Sequence, residues 1–549
     1  MKLRDYQREA ADNIMREWGN VRSTLVVMPT GTGKTVLFAD IIRQMQPQRA
    51  MVLAHREELI FQARDKIGAV TGLDVQIEMA DYRADEHGMF SRSPVVVSTV
   101  QTHTVGGDGW GRMSKFDPAN FGLLIIDEAH HATAQTYRRC VEWYQQNPTL
   151  KVLGVTATPD RADEAALGQV FESVAYDYEI LDAINGGWLV PIEQQVVHVH
   201  GLDYSRCRTT AGDLNGADLA EVLEMEKNLH GIAEPTIKIA GERRAVIFAA
   251  TVAQAERLTE IFNRYKPGCA GFVCGATDKD DRRRILTNFA DGLLQFVVNV
   301  GVLTEGFDDA GVELIVMARP TKSRALYAQM AGRGTRPAAD IAGLISDLET
   351  ADDRCKVIAG SSKPRCLIVD FAGNAGRHKL MTSADILGGK IDDEILDRVR
   401  KSIDDAGKPV DVSAEIEKAK AEAERARLAE AARRAQVRAR VDYRTSKVNP
   451  FDVFALIPAK ERGWDVGKSL TERQENVLRK QGIDPDTLTY AQGKQLLNEL
   501  FRRWDAGLAT YAQTKILQRN GIMAPMRRED ASKLIDQIAK RQGWGKQGG

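Results

Sequence analysis

The chain predicts an α/β fold: two tandem α/β domains with parallel sheets, then a charged helical arm and a small helical C-terminal module. Three observations predict it. Apolar runs of buried-strand length alternate with helical stretches from residue 1 to about 190. A second series of the same kind begins near residue 240. After residue 380 the composition shifts to Ala, Glu, Lys and Arg, with only short apolar clusters.

Taken in order, the strands expected in the first region are 24–28, 50–54, 95–99, 123–127 and 152–156. Residues 1–190 form the first domain, and 191–240 is a less regular connecting region. The second domain, 241–380, has expected strands at 245–249, 272–274, 296–300, 314–318 and 367–371. Residues 381–449 are the arm or linker and 450–549 the C-terminal module. Two α/β domains with one nucleotide motif set in the first suggest a cleft between them.

Two short segments carry the chemistry. Met28-Pro-Thr-Gly-Thr-Gly-Lys-Thr35 follows a strand and opens a helix with Val36, Leu37, Ile41 and Ile42 on one face. A glycine turn at Thr30, Gly31, Thr32 and Gly33, leading into a helix start, aims several backbone N–H groups at one point, which favours phosphate. Lys34 can reach the β- and γ-phosphates and the Thr35 hydroxyl can ligate Mg²⁺. The loop departs from the full phosphate-loop pattern in one place: Met28 stands where glycine is usual. About 90 residues on, Asp127-Glu-Ala-His130 follows a second apolar run. Asp127 at a strand end can hold the same Mg²⁺, and Glu128 can orient and deprotonate an attacking water. Together the segments describe hydrolysis of a nucleoside triphosphate.

Bulk properties exclude more than they assign. With 75 Lys plus Arg against 76 Asp plus Glu, the 549-residue chain has no global field, so a nucleic-acid partner would have to meet local basic patches. The six cysteines include no C-x-x-C pair, which argues against zinc and fits a reducing cytoplasm. No apolar run is long enough to span a bilayer, and no signal peptide is visible.

Residues 412–441 lack a sustained large apolar stripe and read as a long solvated helix, a spacer or a nucleic-acid contact through Arg433, Arg434, Arg438 and Arg440. The last hundred residues hold a weak repeat: Thr471-x-x-Gln474 with Leu478 and Gly482-Ile483 echoes Thr510-x-x-Gln513 with Leu517 and Gly521-Ile522. Gly482 and Gly521 read as left-handed caps. The module suits a protein partner or DNA.

Residues 1 to about 380 resemble a superfamily-2 helicase core, with its motifs in the family's order. Leu3-Arg-Asp-Tyr-Gln7 resembles the adenine-recognising Q motif, 28–35 motif I, 53–59 motif Ia, 97–101 the following DNA-contacting motif and Asp127–His130 motif II in its DEAH form. Thr156-Ala-Thr-Pro159 resembles motif III, 246–251 motif IV, 299–308 motif V and Gln329-Met-Ala-Gly-Arg-Gly-Thr-Arg336 motif VI. The Thr-Ala-Thr-Pro and Gln-x-x-Gly-Arg-x-x-Arg forms are similar to the DNA-acting branch with XPB, type I and III restriction motors and, most of all, RadD-like proteins. The Cys-rich tail usual in RadD-like proteins is missing, and residues 337–364 form an extra segment before the last core strand.

The resemblance implies two RecA-like domains that bind ATP and Mg²⁺ and act on DNA. It gives Gln7, with Arg4 and Tyr6 beside it, to the base, and Gly306 and Asp308 to the nucleotide. Arg333 and Arg336, three apart, would share one helical face and meet the γ-phosphate across the cleft, with Gln329 positioning water or coupling to His130. Arg56, Thr99, Thr251 and Thr304 fall at phosphate-contacting positions, although each threonine read alone suits a helix cap or a strand equally. Thr156 and Thr158 would link the two sites. Two readings stay open: a DNA helicase or translocase, or a nucleic-acid-gated ATPase switch in a repair, replication-restart or defence assembly.

Overall fold

The computed structural model describes residues 3–84, 92–105, 111–157, 167–210, 212–304, 306–376, 378–389, 391–438, 449–459, 465, 468–522 and 526–542, with the backbone alone at 430–438 and 540–542. They fall into two compact units, 1–429 and 430–549.

The first sheet contains β1 (Ser23–Val27), β2 (Ala50–Ala54), β3 (Val75–Glu78), β4 (Val95–Thr99), β5 (Leu123–Asp127), β6 (Lys151–Thr156) and β7 (Ser173–Asp177). Its order is β3-β4-β2-β5-β6-β1-β7, parallel throughout. The central strands β1, β2, β4 and β5 are buried along their whole length, which is why they read as unbroken apolar runs. β3 and β7 stand at the edges with partly exposed residues, and their mixed sequences gave no such run. The helix Lys34–Gln44 after β1 buries Val36, Leu37, Phe38, Ile41 and Ile42. Each such side chain contributes roughly 1.5–3 kcal/mol, enough to hold the turn before it against the sheet.

The second sheet contains β8 (Ile192–Asp203), β11 (Ala245–Phe248), β12 (Ala270–Val273), β13 (Phe296–Asn299), β14 (Leu314–Met317), β15 (Cys366–Asn374) and β16 (Val410–Asp411), in the order β12-β13-β11-β14-β15-β8-β16. Only β16 is antiparallel. A two-stranded ribbon, β9 (Thr209–Thr210) and β10 (Asp213–Leu214), docks through Asp213 on Thr321 and the backbone N–H of Lys322. Both domains are RecA-like parallel sheets with flanking helices.

Two expectations change. Residues 191–240 are not merely connecting: β8 is a full strand of the second sheet, registered along β15 from Ile192 to Asp203, and Leu229 and Ile232 of helix Glu226–Ala240 are buried in its core. The polar residues Glu193, Gln194, Gln195, His198 and His200 break its apolar run and concealed it, as expected of a strand near a sheet edge. The second domain also does not stop near 380. Helices Ser383–Leu387 and Asp393–Ala406 pack on it, and Val412 and Ile416 of the long helix Val412–Arg438 are buried in the same core before the helix runs out exposed. Arg433, Arg434, Arg438 and Arg440 lie outside the described side chains.

The second unit is helical. Thr471, Thr489 and Thr510 each form a capping box with the Gln three residues on, opening helices Glu472–Lys480, Tyr490–Asp505 and Tyr511–Arg519. Gly482 (φ 75°) and Gly521 (φ 78°) follow the first and last of these in left-handed conformation. Leu478, Leu496, Leu497, Leu500 and Tyr511 form its core.

Candidate active site

The loop between β1 and helix Lys34–Gln44 is held from behind by the first helix, Asp5–Glu17. Tyr6 donates its hydroxyl to Thr32 O at 2.7 Å, and Gln7 Nε2 donates to Thr32 O at 2.9 Å and Gly33 O at 3.4 Å. Burial raises the Tyr6 pKa, so the phenol stays a donor. Gly33 is needed twice over: its φ is +81°, and a Cβ there would lie 2.6 Å from Gln7 Nε2. Gln7 Oε1 meanwhile accepts from Arg4 N at 3.0 Å. The amide expected to read a base is therefore committed first to the loop.

Lys34 Nζ lies 3.4 Å from Met28 O and 4.0 Å from Glu128 Oε1. Asp127 ends β5 and accepts from the Glu128 backbone N–H at 3.0 Å. Glu128 itself is left-handed at φ 50°, an uncommon conformation for a residue with a side chain. It sits between Lys34 and His130, whose Nδ1 is 3.5 Å from Oε2, and Oε2 is buried without a hydrogen-bond partner. A buried carboxylate oxygen of this kind, beside a lysine, fits a site that receives a water and a charged phosphate. Thr35 opens the helix on the same turn as Lys34. His130 Nδ1 also meets Thr156 Oγ1 at 3.1 Å, which ties the end of β5 to the end of β6. Thr158 lies outside the described residues.

The second domain faces this loop with the turn after helix Arg324–Gly332. Gln329 is buried on that helix. The expected shared helical face of the two arginines does not form, because the helix ends at Gly332. Arg333 turns back to donate to the carbonyl oxygens of Thr304 and Phe307 and so braces the 299–308 segment. Arg336 alone lies across the cleft: its Cγ stands 3.3 Å from where a Cβ on Gly31 would be, and its guanidinium pairs with Asp308. Gly306, at φ 73°, receives Gln62 Nε2 on its carbonyl at 2.6 Å.

The remaining expected residues lie along the rim. Arg56, before helix Glu57–Thr71, donates across the cleft to Gly301 O and Val302 O at 3.0 and 3.1 Å. Thr99 and Thr251 cap helices Val100–Thr104 and Val252–Tyr265, accepting from Thr102 N and Gln254 N. Thr251 also donates to Glu224 Oε1 at 2.5 Å, and Thr304 donates to Gly301 O at 3.3 Å. Each hydroxyl is thus in use locally. Sequence reasoning missed Gln62, Trp188 and Arg354. A Trp directly after Gly186-Gly187 is a weak signal, and nothing in the pattern around Arg354 offers one.

Residues 1–161 match the family model of the type III restriction enzyme res subunit, and residues 227–338 match the helicase conserved C-terminal domain. Both domains thus resemble those of superfamily-2 helicases and translocases. It is 30% identical over 415 residues to the Saccharomyces cerevisiae protein IRC3, named as an ATP-dependent helicase, covering 71% of this chain and 54% of that one. A 51.5 kDa protein of a Lactococcus phage is 27% identical, covering 57% of this chain and 62% of its own. The DNA 3'-5' helicase XPB of Mycobacterium tuberculosis is 26% identical, covering 63% of this chain and 60% of its own. The chain therefore spans between 54% and 62% of these relatives' lengths. Among the described residues, no helix is long and apolar enough to cross a membrane.

Proposed function

We propose that the chain hydrolyses ATP with Mg²⁺ and couples the cycle to movement on DNA, as a helicase or translocase. One observation carries the reading. Lys34, Asp127 and Glu128 of the first domain converge at the phosphate loop, and Arg336 of the second lies against Gly31 of that loop. Thr35 and Asp127 would hold Mg²⁺, which when bound neutralises phosphate charge. The loop N–H groups from Thr30 to Lys34 receive the phosphates. Glu128 accepts a proton from the attacking water, and Arg336 stabilises the charge that builds up on the γ-phosphoryl oxygens once it releases Asp308.

Movement follows from closure. Arg333 links the arginine turn to the Thr304 segment, and Arg56 links that segment to the first domain. A change at the γ-phosphate that shifts the arginine turn therefore also shifts Arg56, Thr99, Thr251 and Thr304, the residues proposed to touch DNA phosphates. His130 and Thr156 couple the hydrolytic end to the same rim. The C-terminal module offers a second surface, for DNA or a protein partner.

The test is displacement of a bound roadblock, or strand separation, by the purified chain with ATP on single-stranded, duplex and forked DNA. ATP-dependent displacement supports the motor. DNA-stimulated hydrolysis without displacement supports the gated switch.

A further inference from the structure

The extra segment 337–364 contains two helices, Ala342–Asp347 and Ala351–Ala359. From the second comes Arg354, only 7% exposed. Its Nε donates to Gly186 O at 2.7 Å and its Nη1 to Leu348 O at 2.9 Å and Glu349 O at 3.2 Å. Its guanidinium carbon lies 4.2 Å from the centre of the Trp188 ring. Gly187, at φ +69°, permits the approach, since a Cβ there would sit 2.5 Å from Arg354 Cβ.

Trp188 is also the partner of the other side of the site. The Arg4 guanidinium carbon lies 4.5 Å from the same ring centre, and Arg4 Nη1 donates to the Tyr6 hydroxyl at 3.1 Å. The Tyr6 ring meets Trp188 edge-on at 5.6 Å and stacks on Tyr178 at 4.7 Å. An indole next to two guanidinium groups holds both by cation–π attraction, stronger here because the ring is buried. Residues 186–191 are at the same time the crossing between the domains: Val190 N donates to Thr335 O, one residue before Arg336, and Cys366 N donates to Pro191 O.

We propose that Arg354 is a positioning residue for the nucleotide base: through Trp188 it sets Arg4 and Tyr6 in the arrangement that receives a purine, so that base recognition is built jointly by the first domain, the crossing and the extra segment. This rests on the reading of the phosphate loop as an ATP site. A base stacked against Arg4 adds a π face to an array that already runs from Arg354 through Trp188 to Arg4. The array then reports base occupancy to the Thr335–Arg336 turn of the second domain. A ligand with phosphates and no base engages the loop without using it.

The experiment titrates the full chain and its variants with Mg-ADP, Mg-GDP and Mg-tripolyphosphate, a direct binding readout that does not depend on turnover. Arg354→Ala and Trp188→Ala should each lose about tenfold in ADP affinity. GDP affinity should fall in parallel, because guanine offers the same π face, while tripolyphosphate affinity should stay within about twofold. Trp188→Phe, which keeps a π face, should stay within about threefold of the unaltered chain for ADP. Should either alanine variant fail to fold, Arg354→Lys, which keeps the charge but lacks the planar fork that reaches the separated Gly186 and Leu348 carbonyls, is expected to fall between the unaltered chain and the full loss. Unchanged ADP affinity in Arg354→Ala overturns the proposal. So does a parallel loss of all three ligands, or tripolyphosphate binding as tight as that of ADP by the unaltered chain. ADP and GDP binding tighter than that of tripolyphosphate, without any ATP turnover, would overturn the hydrolytic reading and leave this one standing.

Discussion

The two faces of the cleft use their side chains in opposite ways. On the phosphate face, Glu128 keeps a buried oxygen without a hydrogen bond and holds a left-handed backbone. On the rim proposed to meet DNA, Thr99, Thr251 and Thr304 each spend the hydroxyl on a cap or a neighbouring backbone carbonyl, and Arg56 spends its guanidinium on two carbonyls across the cleft. The first face is preorganised for a ligand and stores local strain to be so. The second must exchange existing bonds for new ones, which makes its affinity responsive to closure.

The largest expected effect falls on the preorganised face. Glu128→Gln should lower turnover by about 10²–10⁴-fold while ATP still binds, because shape is kept and only the base is lost. Lys34→Ala should abolish turnover and weaken ATP binding as well. Single-turnover kinetics with parallel nucleotide binding separates the two, and near-normal turnover in Glu128→Gln removes that residue from the chemistry.

Next come the arginines, which the sequence treats as a pair and the structure separates. Arg336→Ala should cost roughly 10³-fold or more in kcat with a much smaller change in KM. Arg333→Ala should act through the Thr304 and Phe307 carbonyls it supports, so stimulation by DNA should fall more than basal turnover. Equal effects on basal turnover would return both to the phosphate.

A smaller effect concerns the helix that carries Gln329. Beneath it, Tyr327 donates to Asp370 at 2.7 Å and Gln194 Nε2 donates at 2.5 Å, and burial pushes the Asp370 carboxyl from its ordinary 3.8 up to about 7. Between those values the folded chain retains a proton that the unfolded chain has released. Stability should therefore fall as pH rises from about 4 to about 7 and level off above, by at most about 1.4 kcal/mol per pH unit. Denaturant titrations across that window should show the slope, and Asp370→Asn should flatten it. An unchanged slope in the variant places the titration elsewhere.

The smallest effects belong to the rim. Thr251→Ala should cost about 1 kcal/mol in stability through the lost cap, and Thr251→Ser should cost little. Glu224→Gln should raise DNA affinity by roughly threefold, since it weakens the charge-assisted bond that holds the Thr251 hydroxyl and removes a charge that repels phosphate. A drop in affinity would mean that Thr251 does not face DNA.

The same contrast explains what the sequence reveals. Motif strands such as Leu123–Asp127 are buried on both faces, so their apolar runs are unbroken, and the loops they carry must have Gly, Lys, Asp and Glu at fixed spacing. The edge strands Val75–Glu78 and Ser173–Asp177, and Ile192–Asp203 one strand in from an edge, mix polar and apolar residues and look like connecting chain. The separation of Arg333 from Arg336 depends on where one helix stops, a matter of a single residue that helical spacing does not fix. Arg354 reaches Trp188 from 166 positions away, and no local pattern encodes that approach. The capping Thr and Gln of the C-terminal repeat were legible because a capping box is local.

The central claim is that a hydrolytic site and a DNA rim share one closure. Steady-state ATP hydrolysis by the full chain, measured with and without saturating single-stranded or duplex DNA, tests it most directly. The account predicts Mg²⁺-dependent hydrolysis that rises at least about tenfold with DNA and disappears in Lys34→Ala. Hydrolysis that is equally fast without DNA, or that survives Lys34→Ala, would contradict it.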